Sequence, residues 1–249
     1  MWCRLAPLAA ALVLSALLPA GVGADTRAEQ QARELIARYH EDPTRLDRAR
    51  DLLEAAIKQE RRVDMLILLS RVHFLVGDVR ATTPEAKLAA YDRGREIGQR
   101  AVELAPRSEE AHLWYAINTG RWGQTRGVVR SLFLLPTVRE ELAAIFALNP
   151  KSVRGHALAG NVMFEVPGLL GGDHKKAEEH YRKALEIDPR FTVVRVDLAR
   201  LLIASGRHDE ARRELGRVIE ERAPTSIADW TVKDVPRARA LLDSLKAKP

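Results

Sequence analysis

Cysteine occurs once in the 249 residues, at Cys3, ahead of an apolar run rather than just behind it. That position does not suit a lipoprotein cleavage site, and a chain cut after Ala24 carries no thiol. Disulfides, thiolate metal sites and cysteine nucleophiles are thereby excluded from the mature chain. Aromatic residues amount to 5%, and Val, Ile and Thr never alternate with polar residues over the length of a strand. Without that period-two pattern no sheet is expected. There is no His-Glu-x-x-His and no Gly-x-Ser-x-Gly, so the commonest zinc-protease and esterase arrangements are missing. His174 and His180 stand six apart, about 240° around a helix, and cannot face one metal together. No catalytic residue, metal site or cofactor is expected, and the chain does not read as an enzyme.

The chain is rich in Ala, Leu, Arg and Glu, all good helix formers. Lys and Arg total 40 against 34 Asp and Glu, a net charge of +6. A basic balance raises the question of nucleic acid. Along Arg33–Glu54, however, the two signs intermingle at helical spacing, as on a solvated, ion-paired helix surface. Nucleic acid is not expected as a partner.

The first residues form a unit of their own. Arg4 is followed by an apolar run from Leu5 to Leu18, then Pro19 and the small-residue stretch Val22-Gly23-Ala24. This is the pattern of a secretory signal peptide spanning residues 1–24. An uncleaved anchor is the alternative, but Leu5–Leu18 is short against the ~20 residues a bilayer span takes. After cleavage no membrane span remains, and residues 25–249 read as one exported, periplasmic domain.

Helices close on prolines at Pro106, Pro150, Pro189 and Pro224, spaced 44, 39 and 35 residues apart. A tetratricopeptide unit, two antiparallel helices commonly ended by Pro, takes about 34. The second helix of such a unit carries a small, a large and a small residue at intervals of four and three. Ala177, Tyr181 and Ala184 fit before Pro189, as do Gly94, Gly98 and Ala101 before Pro106. Ala211, Leu215 and Val218, then Val138, Leu142 and Ile145, and more weakly Ala49, Leu53 and Ala56, repeat the spacing. One pair cannot bury its own apolar stripe, so pairs must stack. The expected fold is an all-α, tetratricopeptide-like α-solenoid of about five pairs. These are 27–40 with 44–60, 62–77 with 84–105, 108–121 with 130–148, 151–166 with 173–187, and 190–205 with 208–222. A capping helix over 235–247 ends the stack, with Trp230 covering apolar surface before it.

The stretch PGLLGGDHKK (167–176) looks at first like a phosphate loop. From Gly168 the sixth position is Asp173 rather than Gly, and no Ser or Thr follows Lys175 or Lys176, so the nucleotide reading fails on spacing. Gly172 is instead a turn glycine and Asp173 an N-cap. The inserted Leu169 and Leu170 either fold back onto the core or contact a partner.

One aromatic cluster suggests a binding site. Trp114, Asn118 and Arg121 fall at i, i+4 and i+7 on one face of the helix starting at Ser108, with Tyr115 and Trp122 on an adjoining stripe. First helices line the concave side of such a solenoid. There an aromatic beside an amide and a guanidinium can hold a peptide, a carboxylate or a flat small molecule. The segment GQTRGVV with Leu132–Leu135 is placed to close over it.

VPGLLGGDHKKAEEHYRKALEIDP, with EEAHLWYAINTGRWGQTRGVVRSLFLLPTVREELAAIFALNP and GREIGQRAVELAP before it, resembles the T-component family of tripartite ATP-independent periplasmic (TRAP) transporters. The resemblance covers roughly residues 45–245 and is strongest over 94–189. It implies an exported helical scaffold that docks a periplasmic solute-binding protein. A general periplasmic adaptor for peptides or protein tails in envelope assembly is the alternative, and a second copy of the chain is a further admissible partner. Animal microtubule-dynamics regulators share similar repeats, but the signal peptide argues against that branch.

Overall fold

The structure, a computed structural model, describes residues 20–59 and 62–246, with side chains from Arg27 onward. The expected signal peptide lies outside the described residues up to residue 19. Among the described residues there is no strand. Helices α1 (Ala20–Ala37) and α2 (Arg45–Gln59) form the first pair, and α3 (Val63–Leu75) and α4 (Pro84–Leu104) the second. The third is α5 (Glu109–Arg126) with α6 (Val128–Leu148), and the fourth α7 (Val153–Glu165) with α8 (His174–Ile187). The fifth is α9 (Thr192–Ala204) with α10 (His208–Glu220). A single turn, α11 (Ile227–Asp229), then runs through a wide π-helical turn, Trp230–Asp234, into α12 (Val235–Lys246). This is the solenoid of five pairs and a terminal helix that the proline spacing implies.

The helices start where short polar side chains replace the missing backbone acceptor. Thr83, Ser108 and Ser152 accept from Ala86, Ala111 and Gly155 N–H at 3.2, 3.3 and 2.9 Å. Asp173 accepts from Lys175 and Lys176 N–H at 3.0 and 3.1 Å. Two expectations are corrected. Residues 122–126 continue α5 instead of forming a loop, and Gly127, at φ 106°, alone separates it from α6. No loop is left there to close over the aromatic cluster. At 167–172 the left-handed residue is Gly171, at φ 90°, while Gly172 packs its Cα against the Val166 carbonyl, where a Cβ would collide.

The small–large–small positions are the core. Ala177, Tyr181, Ala184, Ala211, Leu215 and Val218 are all completely buried, as are Ala49, Leu53, Ala101 and Ile145. Each large apolar side chain among them contributes about 1.5–3 kcal/mol by leaving water. Gly160 and Gly77 leave room for the rings of Tyr181 and Tyr91, which a Cβ would approach within 2.5 Å.

A second regularity joins successive pairs. Six residues after a closing proline stands a side chain that reaches back to that proline's carbonyl. His112 contacts Pro106 O at 3.0 Å, His156 contacts Pro150 O at 3.2 Å, and Arg195 donates to Pro189 O at 2.7 Å. Each also meets the second helix of its own pair three residues past the first small position: His112 at Glu141, His156 at His180 and Arg195 at Glu214. Of these three pairs, the fourth sets histidine against histidine, Nδ1 to Nδ1 at 3.0 Å.

The C-terminal segment returns across the inner surface. Tyr39 of the first pair donates to Asp229 at 2.8 Å, Lys233 pairs with Asp78 of the second at 2.7 Å, and Thr192 of the fifth donates to Asp234 at 2.7 Å. Trp230 lies half-buried on the C-terminal core and donates to Val218 O at 2.7 Å, covering apolar surface as expected.

Candidate functional site

Helices α3, α5, α7 and α9, the first helices of four successive pairs, wall a cavity of about 570 Å³ whose remaining side is the segment 229–237. The apolar lining comes from Phe74, Leu75, Trp114, Ile117, Leu158 and Val232. Charged side chains stand among them, and most are tied in pairs. Asp78 receives both Arg121 and Lys233. Burial works to raise its pKa, but the two cations outweigh that and hold it at about 2. Lys233 is held charged in turn by Asp78 and Asp229, against the cost of its own burial. Arg200 pairs with Glu165 at 2.8 Å, and Arg237 with Asp197 at 3.2 Å.

The cavity takes two of the five clustered residues on α5. Trp114 forms wall, 5% exposed and packed on Phe74 with ring centroids 5.8 Å apart. Arg121 reaches across to Asp78, with its guanidinium 5.8 Å from the Tyr91 ring centroid. The other three lie elsewhere, for a shared physical reason: α5 is wrapped on several sides. Asn118 is completely buried and donates to Ser70 O at 3.0 Å and Trp114 O at 2.9 Å. Ser70 in turn donates to Gly94 O at 2.8 Å, so Asn118 is a structural bridge between α3, α4 and α5. Tyr115 packs its backbone on Gly98 of α4. Trp122 points away from the cavity into a cage of Arg95, Arg126 and Arg130, whose guanidiniums lie 5.1, 5.2 and 5.8 Å from its ring. Leu169 is fully exposed and Leu170 46% exposed, so the pair does not fold back onto the core. Arg139 donates to Leu170 O at 2.9 Å and ties this turn to α6.

Arg71, Arg154, Phe191 and Lys233 belong to the site but do not stand out in the sequence. The guanidinium of Arg71 lies 5.6 Å from the Trp114 ring, and that of Arg154 lies 5.9 Å from the Phe191 ring. Burial, and then the charge of Arg154, lower the pKa of Arg71 from that of an ordinary arginine. Among the described residues no group of three or more His, Cys, Asp or Glu is arranged to hold a metal, and no helix is long and apolar enough to cross a membrane.

A profile described as regulator of microtubule dynamics protein 1-3 matches residues 29–170, more than half of the chain, and a tetratricopeptide-repeat profile matches 169–229. Regulator of microtubule dynamics protein 3 of Rattus norvegicus is 25% identical over 180 residues, covering 66% of this chain and 38% of the relative. Regulator of microtubule dynamics protein 1 of Bos taurus is 25% identical over 151 residues, covering 54% and 47%. The chain thus spans less than half the length of these relatives. In fold, it resembles a thermophilic TPR protein of Thermus thermophilus, with a TM-score of 0.66 and 24% identity over 88% of this chain and 99% of that one. These matches overturn the resemblance to the TRAP T-component family and restore the branch set aside on the strength of the signal peptide. One of the stretches that carried the resemblance, Val166–Pro189, is largely the repeat's own small–large–small helix closed by proline, which does not separate one repeat family from another. The chain is a tetratricopeptide-like interaction scaffold.

Proposed function

The chain belongs to the family of regulator of microtubule dynamics proteins 1-3, and from that premise we propose that it works by holding an extended segment of a partner protein in its central cavity. The observation that carries this reading is the convergence of four successive first helices on one space of about 570 Å³ lined by both apolar and charged side chains. A pocket of this size and mixture suits a few residues of peptide, with apolar walls for side chains and fixed charges for orientation. The paired charges keep the walls rigid, so the partner alone is ordered on binding, which limits the entropic cost.

Gly120 gives a clean test. It lines the cavity on α5, and a Cβ added there meets nothing within 4 Å. Gly120→Phe sets a ring at the cavity from a position where the first added carbon needs no room made for it. Peptides selected from a random display library on the native chain are expected to bind it and to lose at least ~10-fold in affinity for Gly120→Phe, about 1.4 kcal/mol. The thermal midpoint is expected not to fall. Equal binding to both chains would place the partner somewhere other than this cavity.

A further inference from the structure

Six cations and four carboxylates line the cavity, and their pairing leaves two cations over. Asp78 takes Arg121 and Lys233, and Asp229 takes Lys233 at 3.5 Å and the Tyr39 hydroxyl at 2.8 Å. Glu165 takes Arg200, while Asp197 takes Arg237 and, at 3.5 Å, Arg200. Arg71 and Arg154 have neither a carboxylate nor a hydrogen-bond acceptor among the described residues. Both are half-buried, and none of their nitrogens is among the buried polar atoms that go without a partner. Their N–H groups are therefore open to the cavity.

Each guanidinium is already set against an aromatic ring, Arg71 on Trp114 and Arg154 on Phe191. Each ring holds its guanidinium in place by a cation–π contact, and the fork of N–H donors that arginine presents matches the two oxygens of a carboxylate. The charge of Arg154 acts on Arg71 more strongly than that of either Asp229 or Glu110, and an anion between the two guanidiniums would relieve that repulsion. We infer that Arg71 and Arg154 form a carboxylate-binding subsite that recognises an acidic residue or the terminal carboxylate of the bound peptide. This inference rests on the peptide-holding reading above and deepens it. The four bound carboxylates of the same cavity argue against a ligand of dense negative charge, which would meet Asp78, Glu165, Asp197 and Asp229 as well. Leu75, Ile117, Leu158, Val193 and Val232 nearby suit apolar side chains flanking a single charge.

The test titrates the full chain with four probes: an acetylated leucine–glutamate peptide amide, its leucine–glutamine counterpart, a neutral leucine-rich peptide with a free C-terminal carboxylate, and inorganic phosphate. At least one carboxylate peptide is expected to bind roughly tenfold or more tighter than the glutamine amide, the scale of a charge-assisted pair. Which of the two prevails assigns the carboxylate to a side chain or to the terminus. Arg71→Gln and Arg154→Gln are each expected to remove the preference, read as the ratio of the glutamate and glutamine affinities within each variant. Both relieve a repulsion, so the thermal midpoint of the unliganded variants is not expected to fall. Equal affinity for glutamate and glutamine amides, with no gain from a free terminus, would overturn the subsite and leave the scaffold reading intact. A preference that survives the double variant would do the same, as would phosphate competing as well as the peptides. Absence of binding by every peptide would overturn both.

Discussion

Gly98 and Gly216 offer one substitution with two opposite outcomes. Both sit inside helices, α4 and α10, and replacing either with alanine removes the helix penalty of glycine, about 0.8–1 kcal/mol. At Gly216 the added carbon meets nothing within 4 Å, so most of that gain is realised. At Gly98 it would stand 2.9 Å from the Cα of Tyr115, 3.0 Å from its backbone nitrogen and 3.0 Å from Ser70 Oγ. Comfortable carbon–carbon contact begins near ~3.5 Å, and the two Tyr115 atoms are backbone and cannot rotate aside. Helices α4 and α5 must part by roughly half an ångström or more, an overpacking that costs about 1–3 kcal/mol. Ser70, whose hydroxyl bonds Gly94 O and receives Asn118, is strained by the same move, and each such bond is worth about 1 kcal/mol. The net expectation is a loss of about 2 kcal/mol for Gly98→Ala and a gain of about 0.5–1 kcal/mol for Gly216→Ala. Equilibrium urea unfolding followed by circular dichroism measures both from the midpoint at constant slope. A Gly98→Ala chain as stable as the native one would refute the reasoning that α4 and α5 approach too closely at Gly98 to admit one more carbon.

The paired histidines of the fourth repeat make stability depend on pH. The pKa values of both His156 and His180 are lowered from 6.5, first by burial, so the folded chain binds fewer protons there than the unfolded chain; their contribution is present above pH 6.5 and lost as pH falls below it. His180→Glu copies the His112–Glu141 arrangement of the third pair and is expected to recover about 1 kcal/mol near pH 5.5, the scale of one intramolecular hydrogen bond; an unchanged pH profile of the unfolding midpoint would count against it. Lys233→Met takes a cation from between Asp78 and Asp229, leaving Asp78 with Arg121 alone. Removing one partner of a buried pair costs about 3–5 kcal/mol, and with Arg121 still in place about 2 kcal/mol is expected at neutral pH. A loss under about 0.5 kcal/mol in urea unfolding, the scale of an ordinary surface substitution, would show that the segment 229–234 is not held by this ion pair.

The fold was largely legible because it depends on local spacing. The residues assigned to the buried face of each second helix from Ala49 to Val218 are buried in the structure, since intervals of four and three are set by helix geometry alone. The site was less legible. Trp114 and Arg121 do line the cavity, but Asn118, on the same stripe, is taken by Ser70 of the preceding pair, and helical periodicity cannot say which neighbour claims a face. A usable signal was nevertheless present in the closing prolines. Counting 8, 11 and 15 residues on from Pro106 gives Trp114, Ile117 and Arg121, and from Pro150 gives Leu158, Asn161 and Glu165; 8 and 11 on from Pro189 gives Asp197 and Arg200. All line the cavity. Lys233, from outside any repeat, has no such register, and only the three-dimensional return of the chain brings it to Asp78. Family membership was misjudged because a repeat's packing pattern reports its architecture and not its lineage.

The hydroxyl of Tyr39 and the carboxylate of Asp229 meet across 190 positions of sequence. An ordinary stack of repeats behaves like a spring with loose ends, each coil sensing only its neighbours and melting inward from either tip. Here the two tips are buckled together, so tugging or clipping one is felt at the other. Loss of the last two dozen residues would therefore loosen the first helix pair, at the far end of the chain, as well as the region cut.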